Sequence, residues 1–308
     1  MPSSSFHTVL GSTGNIGTQL AKELKMYTDI IRLVSRNPRK INDTDQIMKA
    51  DLLLENQVDA AVAGSDTVYL VAGITYRTKL WQKQWPVIMG NTIQACIKHN
   101  AKLVFFDNMY CYDPMHVGHL TETTPVNPKS KKGKVRAEIA QMILDQIAAG
   151  KLKAMIVRAA DFYGPNAKLS FLNESVINRM KAGKTAQWLY AKNKKHSFTY
   201  IPDAAKATAF LAQQQSAWDQ IWHLPTSKEY PSGQEIVNIL AKELDMAPKL
   251  QVLPGFMVGI LAVFIPPLKE VSELSYQLEQ DYCFDSTKIE STYNLKATPL
   301  EEGLRNCL

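Results

Sequence analysis

The 308 residues carry 35 Lys and Arg against 29 Asp and Glu, a net charge of +6, with 45% hydrophobic and 21% charged residues. That balance belongs to a globular chain and excludes a collagen-like repeat, a coiled coil or a long disordered tail. Charge this mild, with no aromatic residues interleaved in the basic runs at 129–134 and 192–195, argues against a nucleic-acid partner.

Apolar runs at 6–10, 30–34, 67–71, 102–106 and 153–158, rich in Val, Ile, Leu, Tyr and Phe, predict strands. Between them, 16–26, 81–99 and 134–149 carry apolar residues at helical spacing. Such alternation predicts an α/β fold, a doubly wound parallel sheet with helices on both faces. After residue 165 the regularity lapses. Helices are predicted at 170–181, 203–213, 233–244 and 299–304 and short strands at 186–190 and 221–224, with Pro and Gly marking loops. The expected organisation is a first domain over 1–165, rejoined by about 196–224, and a smaller mixed α/β lobe from 166–195 and 225–308. The cleft between lobes is the default ligand site.

The longest apolar run, 252–268, is interrupted by Pro254, Gly255, Pro266 and Pro267. Between its prolines it has about half of the roughly 20 residues that a membrane span needs. Its central part, 256–264, reads first as a core helix; a pocket wall, a dimer contact or a membrane-surface contact stays open. Cys96, Cys111, Cys283 and Cys307 form no CxxC pair, which points to reduced thiols. With no signal-peptide pattern at the N-terminus, a cytoplasmic location is expected.

The segment following the first predicted strand is Gly11-Ser12-Thr13-Gly14-Asn15-Ile16-Gly17, three glycines spaced three apart where a helix opens. Gly11 suits the tight turn, Gly14 lets the backbone approach a pyrophosphate, and Gly17 lets the helix pack close to the sheet. The helix N-terminus offers its N–H groups to the phosphate. The domain over 1–165 therefore reads as dinucleotide-binding. A dinucleotide site for NAD usually has an acidic residue at the end of the next strand. Here that end reads Ser35-Arg36-Asn37-Pro38-Arg39-Lys40, without a carboxylate. Arg36 can pair bidentately with a 2′-phosphate and Ser35 can donate to it, so NADP is the expected cofactor, with NAD as the alternative.

These residues resemble the extended and atypical short-chain dehydrogenase/reductases, the NAD-dependent epimerase/dehydratase group, over nearly the whole chain. Gly11, Gly14 and Gly17 match the family's glycine pattern. Asp51-Leu52 resembles its adenine contact after the third strand, and Val71-Ala72-Gly73 its small-residue segment after the fourth. Arg158 through Asp161-Phe162-Tyr163-Gly164-Pro165 is similar to its Arg-x-x-x-x-Tyr-Gly-Pro stretch. His196 to Asp203, Asp285 to Lys288 and Thr298 to Gly303 continue the likeness. The resemblance implies a Rossmann-like sheet with a C-terminal substrate lobe. It also implies hydride transfer at a carbonyl or alcohol carbon of a small-molecule substrate, with Asp161 and Phe162 in the nicotinamide wall and a homodimer as a candidate assembly.

The family's catalytic Ser/Thr and Tyr-x-x-x-Lys pattern is altered. Asn108 stands at the Ser/Thr position, Lys132 at the Tyr position and Arg136 at the Lys position. Lys132 and Arg136, four apart, share one helix face. Arg136 beside an ammonium is expected to push the Lys132 pKa down, making Lys132 the candidate acid/base and Asn108 the carbonyl orienter. Ribose binding or plain solvent exposure is the bland alternative for both cations. Tyr110, Tyr112 and Tyr163 are alternative proton donors. A catalytically silent nucleotide-binding redox sensor is the competing function. Cys111, Asp113, His116 and His119 cluster within nine residues, but loop polarity outranks a metal site, and none is expected. His196 is expected to support backbone, and His7 and His99 to be edge and helix-end residues.

Overall fold

The computed structural model describes residues 3–308. In chain order the first elements are β1 (Ser3–Leu10), α1 (Asn15–Leu24), β2 (Thr28–Ser35), β3 (Gln46–Lys49), α2 (Glu55–Val62), β4 (Thr67–Leu70), α3 (Thr78–Lys98) and β5 (Lys102–Asn108). They are followed by α4 (Lys131–Ala148), β6 (Ala154–Ala159), β7 (Asp161–Tyr163), α5 (Asn178–Lys181), β8 (Ala186–Leu189), β9 (Phe198–Tyr200), α6 (Ile201–Leu211) and β10 (Ile221–His223). The C-terminal third holds α7 (Gly233–Glu243), β11 (Leu250–Leu253), α8 (Gly255–Leu261), α9 (Pro266–Ser272), α10 (Tyr276–Glu279), α11 (Thr287–Tyr293) and α12 (Leu300–Arg305).

The chain divides into two units. One comprises residues up to 108, 134–158 and 204–224; the other comprises 109–133, 159–203 and 225–308. The crossing points differ from those expected, because 109–133 and 159–165 pack with the later residues.

The first unit is a seven-stranded sheet in the order β10-β6-β5-β4-β1-β2-β3. Pairs β1·β2, β1·β4, β2·β3, β4·β5 and β6·β10 all run parallel. Strands covered on both faces are apolar nearly throughout, and Val9, Leu10, Leu33, Val34, Leu70, Leu103 and Val157 are fully buried. The chain order reverses between β1 and β4, and a ligand crevice is expected at the carboxyl ends of strands at such a point. α1 buries Ile16, Gly17, Leu20, Ala21 and Leu24, one helical face against that sheet.

His7 is not the edge residue that its place in the first strand suggests, because the crossover to β4 flanks β1 on both sides. It is buried, with Nε2 at 3.1 Å from Ser5 Oγ and Nδ1 at 3.1 Å from Tyr69 Oη. Burial lowers its pKa from 6.5 to about 4, against a smaller opposing pull from Asp66. A depressed folded-state value means that the unfolded chain takes the proton first. His7 therefore contributes its stability above pH 6.5 and loses it as pH falls toward 4, a swing of about 3 kcal/mol. Urea midpoints should drop across that window, and His7→Gln should flatten the drop.

The second unit has two small parallel pairs, β8·β11 and β7·β9. Its core gathers Tyr163, Leu172, Trp188, Phe198, Ile236 and Leu240 around α7, whose start is fixed by a Ser232–Glu235 capping box. The segment 256–264 is not a core helix. Val258 is buried, whereas Phe256, Met257, Ile260, Val263 and Phe264 are exposed. No helix among the described residues is long and apolar enough to cross a membrane.

Candidate dinucleotide site and the altered catalytic positions

The glycine loop is tied to the end of β2: the N–H groups of Gly11 and Ser12 donate to Val34 O at 2.9 and 3.1 Å, and Ser12 Oγ donates there at 3.3 Å. Gly11 has φ of +97°, and a Cβ there would lie 2.4 Å from Ala72 Cα. A Cβ on Gly17 would lie 2.5 Å from Gly11 O. Both glycines are required by the protein's own backbone. Gly14 is different. It is exposed, its φ of −74° suits any residue, and the nearest atom to a Cβ would be Gly11 O at 3.5 Å. The space beside Gly14 is open, as a bound pyrophosphate would need it to be. α1 begins there with no side-chain cap and no acidic residue in its first turn, so its dipole faces that space uncompensated.

Thr13 is exposed, Asn15 half-buried and Ile16 buried beneath the loop. At the end of β2, the Ser35 Oγ is buried without a hydrogen-bond partner, and Arg36 is exposed and in no ion pair among the described residues. An orphaned hydroxyl beside an uncommitted guanidinium fits an anionic oxygen. Val71 N–H donates to Leu10 O at 3.0 Å, placing Val71-Ala72-Gly73 beside the loop at the end of β4. Asp51 accepts the Leu53 N–H at 3.0 Å, and Leu52 O accepts Asn91 Nδ2 at 3.0 Å, fixing the turn after β3. The residues of the loop and strand ends thus fit a dinucleotide.

The altered positions sit in two separate ion-pair clusters. Lys132 is completely buried in the second unit. Its Nζ lies 2.5 Å from Glu270 Oε2 and 3.1 Å from Glu273 Oε2, and it also donates to Glu270 O at 3.1 Å. Glu273 reaches back to the backbone N–H groups of Lys131 and Lys132, neutralising the start of α4 as a capping carboxylate does. Arg136, in the first unit, binds Asp107 Oδ1 at 2.6 Å and lies over the rings of Trp81, Trp85 and Phe105. Arg158 takes the other oxygen of Asp107 at 3.1 Å. The expected arrangement, an arginine discharging its lysine neighbour, is therefore not how these side chains are used. Lys132 is held by Glu270 and Glu273, and Arg136 shares Asp107 with Arg158. Asn108 is half-buried at the end of β5, its N–H donating to Asp107 Oδ1 at 2.8 Å.

Asp161 and Phe162 lie on β7. The buried His196 sets Nε2 at 2.9 Å from Asp161 Oδ2 and Nδ1 at 3.0 Å from Gln277 O, holding a half-exposed carboxylate and a backbone carbonyl. Tyr163 is a packing residue, with a Cβ on Gly303 falling 2.2 Å from its hydroxyl and burial raising its pKa. Tyr112 is likewise buried and Tyr110 half-buried. Asp113 caps a short turn through Met115 N–H and accepts from Asn127, while His116 and His119 are exposed. No group of three metal-ligating side chains converges among the described residues. The roles of Asp107, Glu270, Glu273 and the Asp161–His196 pair escape a reading of the sequence. Asp107, a carboxylate ending an apolar strand, is the one that carries a visible signal.

Many solved structures share this architecture, among them three enzymes acting on nucleotide sugars by their names. UDP-glucuronic acid 4-epimerase from Bacillus cereus, in complex with NAD, superposes with a TM-score of 0.79 at 17% identity over 97% of this chain and 96% of that one. The UDP-glucose 4-epimerase of Thermus thermophilus, also with NAD, gives 0.77 at 18% identity over 98% and 97%. DesIV, a dTDP-glucose 4,6-dehydratase from Streptomyces venezuelae, gives 0.77 at 14% identity over 98% and 95%. No curated protein matches the chain significantly. Residues 7–238 match the family model described as the NAD dependent epimerase/dehydratase family. With the glycine loop and the strand order in place, the chain belongs to that family.

Proposed function

We propose that the protein binds NADP(H) and transfers hydride to or from a carbonyl or alcohol carbon of a small molecule. The observation that carries the cofactor choice is the basic, carboxylate-free end of β2, with Arg36 uncommitted and the Ser35 hydroxyl unpartnered. The nicotinamide supplies or accepts the hydride. The chain's own contribution is a phosphate cradle at Gly11–Gly17, a 2′-phosphate clasp at Ser35 and Arg36, and Asn108 to orient a carbonyl through its amide N–H. The UDP- and dTDP-sugars of the structural neighbours are the first substrates to screen, followed by simple aldehydes and ketones.

Fluorescence titration tests the reading. NADPH should bind at least about tenfold more tightly than NADH, the scale of one charge-assisted guanidinium–phosphate pair, and Arg36→Ala should remove most of that preference. Equal affinities for the two would overturn the NADP assignment. A second reading, nucleotide binding without turnover, is favoured by one observation: Lys132 and Arg136 are both committed to carboxylates. Stoichiometric NADPH binding with no consumption across the whole screen would select it.

A further inference from the structure

Hydride transfer at an alcohol or carbonyl carbon moves a proton as well, and the altered positions do not supply its carrier. Asn108 cannot relay a proton. The Lys132 ammonium has three N–H donors and spends them on Glu270 Oε2, Glu273 Oε2 and Glu270 O, with no surface exposed. Burial above all raises the pKa of Tyr163, Tyr276 and Tyr282, so none of these hydroxyls gives up its proton near neutrality.

The second unit does hold a pair built around a proton. His196 is 1% exposed, and both of its ring nitrogens face oxygens. Nδ1 lies 3.0 Å from Gln277 O, a carbonyl that can only accept, so Nδ1 carries hydrogen. Nε2 lies 2.9 Å from Asp161 Oδ2. Two unshared electron pairs repel at that distance, so a second proton is held between ring and carboxylate. The imidazole is fixed by its neighbours. Trp188 and Tyr282 stand edge-on to it at 6.2 and 4.9 Å between centroids, and Phe198 lies at 4.5 Å.

Asp161 is placed differently from its partner. Its side chain is 27% exposed, and Oδ1 takes no hydrogen bond or ion pair among the described residues. It stands two residues beyond the end of β6, and open α/β sheets bind ligands outside the carboxyl ends of their strands. One oxygen is thus held by a rigid partner while the other is open to a ligand, the geometry that a general acid or base needs.

We propose that Asp161 takes and returns the substrate's hydroxyl proton, with His196 as its positioning residue. This rests on the hydride-transfer reading above. In the oxidising direction the C–H electron pair leaves the alcohol carbon as hydride for the nicotinamide. The O–H bond breaks, its proton passes to Asp161 Oδ1, and the C=O bond forms. In the reducing direction Asp161, protonated at Oδ1, returns that proton to the oxygen as hydride reaches the carbon. The proton between Nε2 and Oδ2 stays in place throughout.

Proton NMR and kinetics test the pair separately. The parent spectrum should show a strongly deshielded, slowly exchanging imidazole proton that disappears in Asp161→Asn; its absence from the parent overturns the shared proton. With whichever UDP-sugar, dTDP-sugar, aldehyde or ketone of the screen is turned over, Asp161→Asn should lower kcat at least about 10²-fold, with NADPH affinity and urea midpoint at parent values. His196→Gln keeps an amide donor toward Oδ2 and should lower kcat far more than it changes KM. It also carries the test if Asp161→Asn fails to fold. Parent kcat in Asp161→Asn, or in His196→Gln where that variant stands in, overturns the proposal and leaves hydride transfer standing. A parent protein that binds NADPH and turns over nothing in the screen overturns the hydride-transfer reading, and the role of Asp161 with it.

Discussion

Gly14→Ala is expected to fold like the parent chain and to bind NADPH at least about tenfold more weakly. At φ −74° and ψ 169° the backbone already has a conformation open to alanine, and the new methyl would meet no protein atom closer than 3.5 Å. Losing glycine at the helix N-cap costs under about 1 kcal/mol. The affinity loss has another origin, because the methyl occupies the space into which α1 directs its N-terminal dipole. Gly17→Ala is the contrasting case. Its methyl would lie 2.5 Å from Gly11 O and 2.8 Å from Ser12 Cα, and overpacking against backbone costs about 1–3 kcal/mol or more. Urea midpoints and NADPH titrations on both variants separate the two effects. A Gly14→Ala protein that binds NADPH as the parent does would show that no pyrophosphate lies against this loop.

The contrast between Gly14 and Gly17 marks how far a sequence carries. The glycine spacing named the loop, and burial on both faces of the sheet made β1, β2, β4, β5 and β6 legible as apolar runs. β3 carries Gln46, Ile47 and Lys49 exposed at the sheet's edge, so it has no such run to find. β7 and β9 are three residues long and paired only to each other, and nothing local specifies them, whereas β8 lies where a short strand is expected at 186–190. Distance along the chain hid the chemistry of the altered positions. The four-residue spacing of Lys132 and Arg136 is visible, and it invited a pairing of those two cations. Their actual partners stand 138 and 141 residues later, at Glu270 and Glu273, and 29 residues earlier, at Asp107. A carboxylate supplied by the fold outweighs a neighbour supplied by the helix, because burial penalises a cation that lacks its counter-charge.

Asp107→Asn carries the largest stability loss expected for a single change here. Asp107 is 2% exposed, and its two oxygens hold Arg136, 4% exposed, and Arg158, 1% exposed. The amide keeps the shape and removes the carboxylate that pairs with both guanidiniums among the described residues, leaving two buried positive charges without it. Breaking one buried pair costs about 3–5 kcal/mol, so the loss should reach the upper end of that range. Asn108 should be disturbed as well, since its N–H donates to the same Asp107 oxygen as Arg136. Arg136→Met gives the complementary measurement. Trp81, Trp85 and Phe105 already form an aromatic cage that accepts a thioether, and the remaining Asp107–Arg158 pair is balanced in charge. The double variant should therefore be more stable than the sum of its single losses, and urea unfolding of all four proteins reads that coupling. NADPH titration of Arg136→Met then decides what the arginine is for. Unchanged affinity assigns it to the core, as its burial between Asp107 and three aromatic rings implies. Affinity lost without a stability change would return it to the ribose-binding role that its place in the family pattern suggests.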